Sequence, residues 1–169
     1  MNNNTLTVKI ERAISELRRG GKIVISDINS GISILLVAAE MIEDQTIDEL
    51  SNLALSRPNV ILSEKRGNAI GIKDTNQPCS ILINKQWSKN DILSLCMPLV
   101  GHKIPALNGV LLEKKDSMIS HCILLLRQAR LLPAGLMSII SKIPIEDINK
   151  WAFQNNFIKR FFKSSLKIA

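Results

Sequence analysis

Residues 10–27 read IERAISELRRGGKIVISD, and this stretch decides the fold class. Ile10, Ala13, Ile14 and Leu17 recur at helical spacing, while Glu11, Arg12, Arg18 and Arg19 fall off that stripe, which predicts an amphipathic helix. Gly20-Gly21 stops it, because glycine accepts the left-handed conformation that a helix end requires. Lys22 to Asp27 is then a short apolar run of strand type. Helix, glycine turn and strand open a domain that mixes both element types.

The same reading continues along the chain. Ile32 to Val37 reads as a buried strand running into Ala38-Ala39-Glu40. Thr46 to Leu55 reads as a helix, with Thr46 and Glu49 at capping-box spacing. Strands are predicted at Asn59–Leu62, Cys79–Asn84, Gly109–Glu113 and Ala134–Ile140. Helices are predicted at Ser63–Ile70, at Ser88–Cys96 with Ser88 as its cap, and at Asp116–Leu132, which Pro133 stops. Pro144 suits the first turn of a last helical region. The fold class expected is α+β, a mixed sheet covered by helices in a three-layer α/β/α sandwich.

Composition narrows the function classes. Hydrophobic residues are 46% and charged residues 22%, globular proportions that exclude disorder along the whole length. The longest charge-free apolar stretch, Ile28 to Ala39, is broken by Asn29, Ser30, Gly31 and Ser33 and falls short of the roughly 20 residues of a spanning helix. The N-terminus has no apolar core behind a basic start, so no signal peptide is read, and the cytoplasm is the expected compartment. Cys79, Cys96 and Cys122 are scattered and form no CxxC pair, so neither a disulfide framework nor a zinc site is expected. No GxxxxGK[ST] or GxGxxG pattern follows a strand. The net charge of +7 reads as solubility unless the basic residues cluster.

Two units are expected: a domain over 1–142 and a basic, aromatic, helical tail over 143–169. Phe153, Phe157, Phe161 and Phe162 all lie in that tail behind Trp151, interleaved with Lys150, Lys159, Arg160, Lys163 and Lys167. The preferred reading is a terminal helix that docks its aromatics on the core. The alternative is a surface for anionic lipid or single-stranded nucleic acid.

Three stretches in register carry a family resemblance. The opening IERAISELRRGGKIVISD followed by LLVAAE (35–40) resembles the start of 3,4-dihydroxy-2-butanone 4-phosphate synthase, where a helix ending in R-x-G leads to a strand, an acidic loop and A-A-E. Gly101-His102-Lys103-Ile104-Pro105 and Gly109-Val110-Leu111 resemble its G-H-x-F-P and G-V-L. Ser120-His121-Cys122-Ile123, Ala129-Arg130-Leu131 and Pro133-Ala134-Gly135 resemble its G-H-T-E, A-R-L and P-A-G. The resemblance covers residues 9 to about 140 and implies that family's fold.

The family makes the four-carbon precursor of riboflavin from ribulose 5-phosphate and releases formate. It acts as a homodimer with magnesium at a site on the subunit contact. The chemistry needs a base to remove a proton beside a carbonyl and a hard cation to hold the enediolate. Carboxylates in a loop R-E-N-E-G-D, and the His and Glu of G-H-T-E, supply both. Here the register places Asn29-Ser30-Gly31-Ile32-Ser33-Ile34 on the acidic loop, Cys122-Ile123 on Thr-Glu, and Ser138-Ile139 on the Cys-Glu after P-A-G. Imidazole nitrogen is a poor donor for magnesium, so His121 alone cannot hold it. The resemblance therefore implies the scaffold without the activity: not an enzyme, no cofactor and no metal.

A degenerate copy of this domain occurs upstream of GTP cyclohydrolase II in some bacterial riboflavin proteins. SEKRGNAIGI (63–72) and ARLLPAGL (129–136) are similar to stretches of that version. The zinc cysteines of the cyclohydrolase itself have no counterpart here. The resemblance implies a dimerising or partner-binding domain. It would be a homodimer, with a separate GTP cyclohydrolase II chain as a further partner. Residual sugar-phosphate or cyclohydrolase-linked chemistry is the alternative, and nucleic acid is not expected as a partner. His102 and His121 stand as vestigial site residues. Arg127 and Arg130, at i and i+3, stand as phosphate-binding candidates.

Overall fold

The computed structural model describes residues 3–72, 76–107, 109–113 and 117–162. In chain order they form α1 (Asn3–Arg18), β1 (Ile23–Asp27), β2 (Ile32–Ala38), a 3-10 turn (Ala39–Met41), α2 (Thr46–Ala54), β3 (Asn59–Leu62), α3 (Glu64–Ala69), β4 (Cys79–Leu82), α4 (Lys89–Cys96), β5 (Val110–Leu112), α5 (Met118–Gln128), β6 (Ala134–Ile139), α6 (Ile148–Gln154) and β7 (Ile158–Phe162). The strands make one seven-stranded sheet in the order β5-β4-β3-β6-β2-β1-β7. Every pairing is antiparallel except β1 with β7. Among the described residues no helix is long and apolar enough to cross a membrane.

Strand residues alternate between two apolar clusters, as the two-residue period of a strand requires. Val24, Leu35, Val37, Val60, Leu62, Ile81 and Leu136 face one layer, which α2, α4 and α6 close with Leu50, Ala54, Ile92, Leu95, Ile148 and Ala152. Ile23, Ile25, Ile34, Leu36, Ile61 and Met137 face the other, which α1 and α5 close with Ala13, Leu17, Ile119, Cys122, Ile123 and Leu126. Helices on both faces explain why β2 is apolar almost throughout. The expected three-layer α+β architecture is the observed one.

Three contacts tie the layers together. Arg18 Nε donates to the Ala129 carbonyl at 2.8 Å, joining the end of α1 to the end of α5. Glu40 Oε2 accepts the Leu132 amide at 2.8 Å, joining the 3-10 turn to the α5–β6 connection. Gly135 in β6 lies so close to β2 and α5 that an added Cβ would stand 2.7 Å from the Val37 carbonyl oxygen and 3.3 Å from Leu126 Cδ1.

Several local expectations are corrected. Thr46 and Glu49 form no capping box: Gln45 is the N-cap and offers no side-chain bond. Thr46 Oγ1 instead accepts the Glu43 amide at 2.8 Å, and Glu49 is drawn to Lys22 Nζ at 2.7 Å. The reciprocal box forms at α4, between Ser88 and Asp91. Helix α5 stops before Pro133, because Arg130 adopts φ 57° and the Leu131 amide turns back to the Leu126 carbonyl. Asp116, the expected start of that helix, lies outside the described residues.

The tail is only partly helical. Asn156 takes φ 58° and ends α6, the chain turns, and 158–162 adds a strand to the sheet edge, with Ile23 opposite Ile158. Trp151 and Phe157 meet as a tilted pair, 5.7 Å between ring centroids, and pack against the first cluster, whereas Phe153 is 84% exposed. Residues 163–169, with Lys163 and Lys167, lie outside the described residues, and so do the side chains of Lys159, Arg160, Phe161 and Phe162.

Gly135→Ala is expected to destabilise the fold by about 1–3 kcal/mol, since the methyl group meets backbone that cannot swing aside. The urea midpoint of the variant, compared with that of the parent chain, measures it.

Candidate functional site

The register of the sheet assembles the positions that carry the resemblance. Ile34 lies opposite Ile139, and Asp27 lies opposite Ile32, so the β1–β2 turn, the start of β2 and the end of β6 meet at one end of the sheet. Ile119, Cys122 and Ile123 of α5 pack in the same cluster as Ile34 and Met137, which brings the His121 turn to that layer. Ile34 and Ile123 are packed into that cluster, and Ile139 is half-exposed at its edge. The nearest carboxylate in sequence is Asp27, and its Oδ1 accepts the Asn29 amide at 3.0 Å in the turn itself. Among the described residues no group of three or more His, Cys, Asp or Glu side chains is placed to hold a metal ion.

The two histidines do not share a site. His121 Nδ1 lies 2.9 Å from the carbonyl of Ser117, the N-cap of its own helix, so the imidazole is tied to local backbone. His102 is exposed in the loop after α4, near Asp91. The Asp91 carboxyl is held below its ordinary range by hydrogen bonds from the Ser88 side chain and backbone, with the His102 charge a lesser contribution. Helices α4 and α5 pack on opposite faces of the sheet.

The two arginines are likewise apart in role. Arg127 Nη2 is 3.0 Å from Glu64 Oε1, so its charge already has a partner. Burial, the largest single effect, raises the Glu64 carboxyl, but a backbone hydrogen bond, the Arg127 hydrogen bond and the Arg127 and Lys65 charges together outweigh it and hold the group below its ordinary range. Arg130 is exposed and sits beyond the end of α5, so the helical i, i+3 geometry does not apply to it. Helix α3 does hold a structural arginine: Arg66 donates through Nε to Leu95 O at 2.7 Å and through Nη2 to Ser94 O at 2.6 Å, closing the last turn of α4.

All three cysteines are buried. Burial, aided by the charge of Glu113, pushes the Cys79 thiol from 9.0 up to about 11. Burial pushes Cys96 to about 12, with the Arg66 guanidinium pulling less strongly the other way. Nucleophilic thiolates are made by the opposite shift.

Sequence reasoning did not point to a hollow of about 710 Å³ at the same end of the sheet but on the α2 side. Its walls include Trp87, Arg57 and Lys85. The signal available in the sequence was the pair Arg57-Pro58 after a helix end, which fixes an arginine on stiff extended backbone.

No family model and no curated protein matches this chain. Solved structures do. The chain superposes on a two-domain 3,4-dihydroxy-2-butanone 4-phosphate synthase from A. baumannii with a TM-score of 0.68 at 16% identity, over 90% of this chain and 55% of that one. It superposes on the synthase of Candida albicans with a TM-score of 0.68 at 17% identity, over 90% of this chain and 92% of that one. A synthase in complex with two magnesium ions gives 0.67 at 12% identity, again over 90% and 92%. The chain therefore spans 55% of the length of the two-domain protein and has the fold of the synthases.

Thiolate absorbance gives a direct check on the cysteine environments. Both folded thiols hold their protons more tightly than the unfolded chain does, so their contribution to stability is complete below pH 9 and is lost as pH rises toward 11–12. The native chain is expected to show little thiolate absorbance from Cys79 and Cys96 until above pH 10, and the urea-unfolded chain to ionise near 9.

Proposed function

We propose that this chain is a catalytically silent domain of the 3,4-dihydroxy-2-butanone 4-phosphate synthase type, serving riboflavin biosynthesis as a dimerising or partner-binding module. The observation that carries the reading is a division between two kinds of residue. The contacts that hold the scaffold are present: Arg18 to Ala129, Glu40 to Leu132, and the close approach at Gly135. The positions that the resemblance assigns to acids hold Ile34, Ile123 and Ile139. Isoleucine neither ligates a cation nor accepts a proton, and each of those roles is worth at least about 10²-fold in rate.

A dimerising role is supported by one face of the sheet. Ile32, Ile139, Leu82 and Leu111 all point to the α1/α5 side and are 43%, 45%, 40% and 60% exposed. Ile32 and Ile139 lie on the neighbouring strands β2 and β6 at one end of the sheet, and Leu82 and Leu111 lie on β4 and β5 beyond Asn59 of β3, so the face offers two apolar patches of the kind a subunit contact covers. A separate GTP cyclohydrolase II chain is the second candidate partner for the same face.

Incubation with ribulose 5-phosphate and magnesium is expected to release no formate above a His121→Ala control, and millimolar magnesium to leave the melting temperature unchanged. Formate production, or a magnesium-dependent rise in melting temperature, would overturn the silent reading. Sedimentation is expected to find a dimer that Ile139→Glu weakens at least tenfold, because a charge in the centre of an apolar contact must be desolvated. A strictly monomeric parent chain that also fails to retain the cyclohydrolase in a pull-down would remove the interaction role.

A further inference from the structure

We infer that the trench between α2 and the β3–β4 end of the sheet binds an organic phosphate with a flat ring, a nucleoside 5′-monophosphate, with the phosphate at Arg57 and Lys85 and the ring on Trp87. The trench lies on the α2 face, opposite the layer that carries His121, so it does not depend on the synthase-type reading.

Two hollows meet there. The larger, of about 710 Å³, includes Trp87, Leu55, Ile47, Asp44 and Asp48 in its walls. The smaller, of about 470 Å³, is lined by Arg57, Lys85, Asn84, Gln86, Leu82, Ile83 and Gly109. Arg57, Lys85, Asn84 and Ile83 belong to both, so the hollows are continuous and the two cations stand at their junction. The larger volume falls in the range of small-molecule sites.

The charges sort the trench into two halves. The smaller hollow has two cations and two side-chain amides in its lining and no carboxylate. Among the described residues neither Arg57 nor Lys85 pairs with a carboxylate, in contrast to Lys22 and Arg127. A dianionic phosphate would gain two charge-assisted partners there. Both carboxylates, Asp44 and Asp48, line the larger hollow alone. They would repel a phosphate and accept hydrogen bonds from the hydroxyls of a sugar. Trp87 is half-buried and packs against the first apolar cluster, which leaves an indole surface held in place. A base can stack on such a ring whatever its identity, because every base has a π-face.

The loop that presents Arg57 is built rather than loose. Leu55 takes φ 55° and ψ 32°, a left-handed conformation that a residue with a Cβ adopts only when its surroundings hold it there, and it is 53% exposed on the trench wall. Three hydrogen bonds hold the turn to the end of β6: Ser56 Oγ to Ile139 O at 2.5 Å, Ser141 N to Ala54 O at 3.4 Å, and Ser141 Oγ to Leu55 O at 3.3 Å. Buried Pro58 follows, and its carbonyl accepts the Ile83 amide at 3.3 Å. On the facing loop, Asn84 Oδ1 accepts the Gln86 amide at 3.0 Å and Asn84 O accepts the Trp87 amide at 3.1 Å. The cations and the ring therefore sit on two fixed turns, which lowers the ordering cost of binding.

Isothermal titration of the full chain with adenosine 5′-monophosphate, adenosine and inorganic phosphate tests the assignment. The monophosphate is expected to bind in the submillimolar range and more weakly as salt is added, with adenosine and inorganic phosphate each at least tenfold weaker. Arg57→Ala and Lys85→Ala, both at exposed positions, should each weaken it several-fold without altering the circular dichroism. Trp87→Ala should weaken it about tenfold, and Trp87→Phe should restore most of the loss. Absence of binding at 10 mM, equal affinity for adenosine or for inorganic phosphate, or undiminished affinity in the Arg57→Ala/Lys85→Ala double variant would overturn it.

Discussion

The fold depends on how closely β6 can approach its neighbours. This strand pairs antiparallel with β2 on one side and β3 on the other, and so joins the two halves of the sheet. At its second residue the main chain passes so near the Val37 carbonyl and Leu126 that only a hydrogen atom fits on the α-carbon. Glycine there lets α5 settle on the sheet, and α5 in turn closes the cluster that buries Ile34, Leu36 and Ile61. The Arg18 and Glu40 hydrogen bonds then fix the two ends of the α5–β6 connection against the first third of the chain.

The same connection separates scaffold from chemistry. Three residues here have a geometric role: Arg18 satisfies the Ala129 carbonyl, Glu40 satisfies the Leu132 amide, and Gly135 permits close contact. Each is needed whether or not a substrate binds, because unpaired backbone groups and steric overlap cost stability in any state. Ile34 packs into the α1/α5 cluster, whereas Ile139, opposite it in the sheet, is half-exposed.

The two faces of the sheet also differ in what they offer a partner. On the α1/α5 side the end of the sheet exposes Ile32 and Ile139. On the α2 side it is concave, cationic at one end and acidic at the other, with an indole in its wall. Both surfaces lie at the end of the sheet where β6 finishes, so the β6 terminus touches each: Ile139 contributes its side chain to the first and its carbonyl to the turn that shapes the second.

Much of the architecture was legible in the sequence, because amphipathic periodicity and glycine stops are local properties. The helix of residues 10–18, the strand runs and the three-layer class follow from them, as does the absence of acids from 28 to 39. Helix ends set by left-handed Arg130 and Asn156 were not legible, since neither residue type requires that conformation. Nor was the strand at 158–162: its spacing of aromatics suits a helix, and only a partner some 135 residues away, β1, converts it to a parallel edge strand. The sequence by itself determined the scaffold class and the stretch free of acids from 28 to 39. Tertiary structure alone decided that Glu49 turns to Lys22 instead of capping α2, and that Arg57, Lys85 and Trp87 share one trench, because those outcomes depend on groups brought together across the chain and not on neighbours along it.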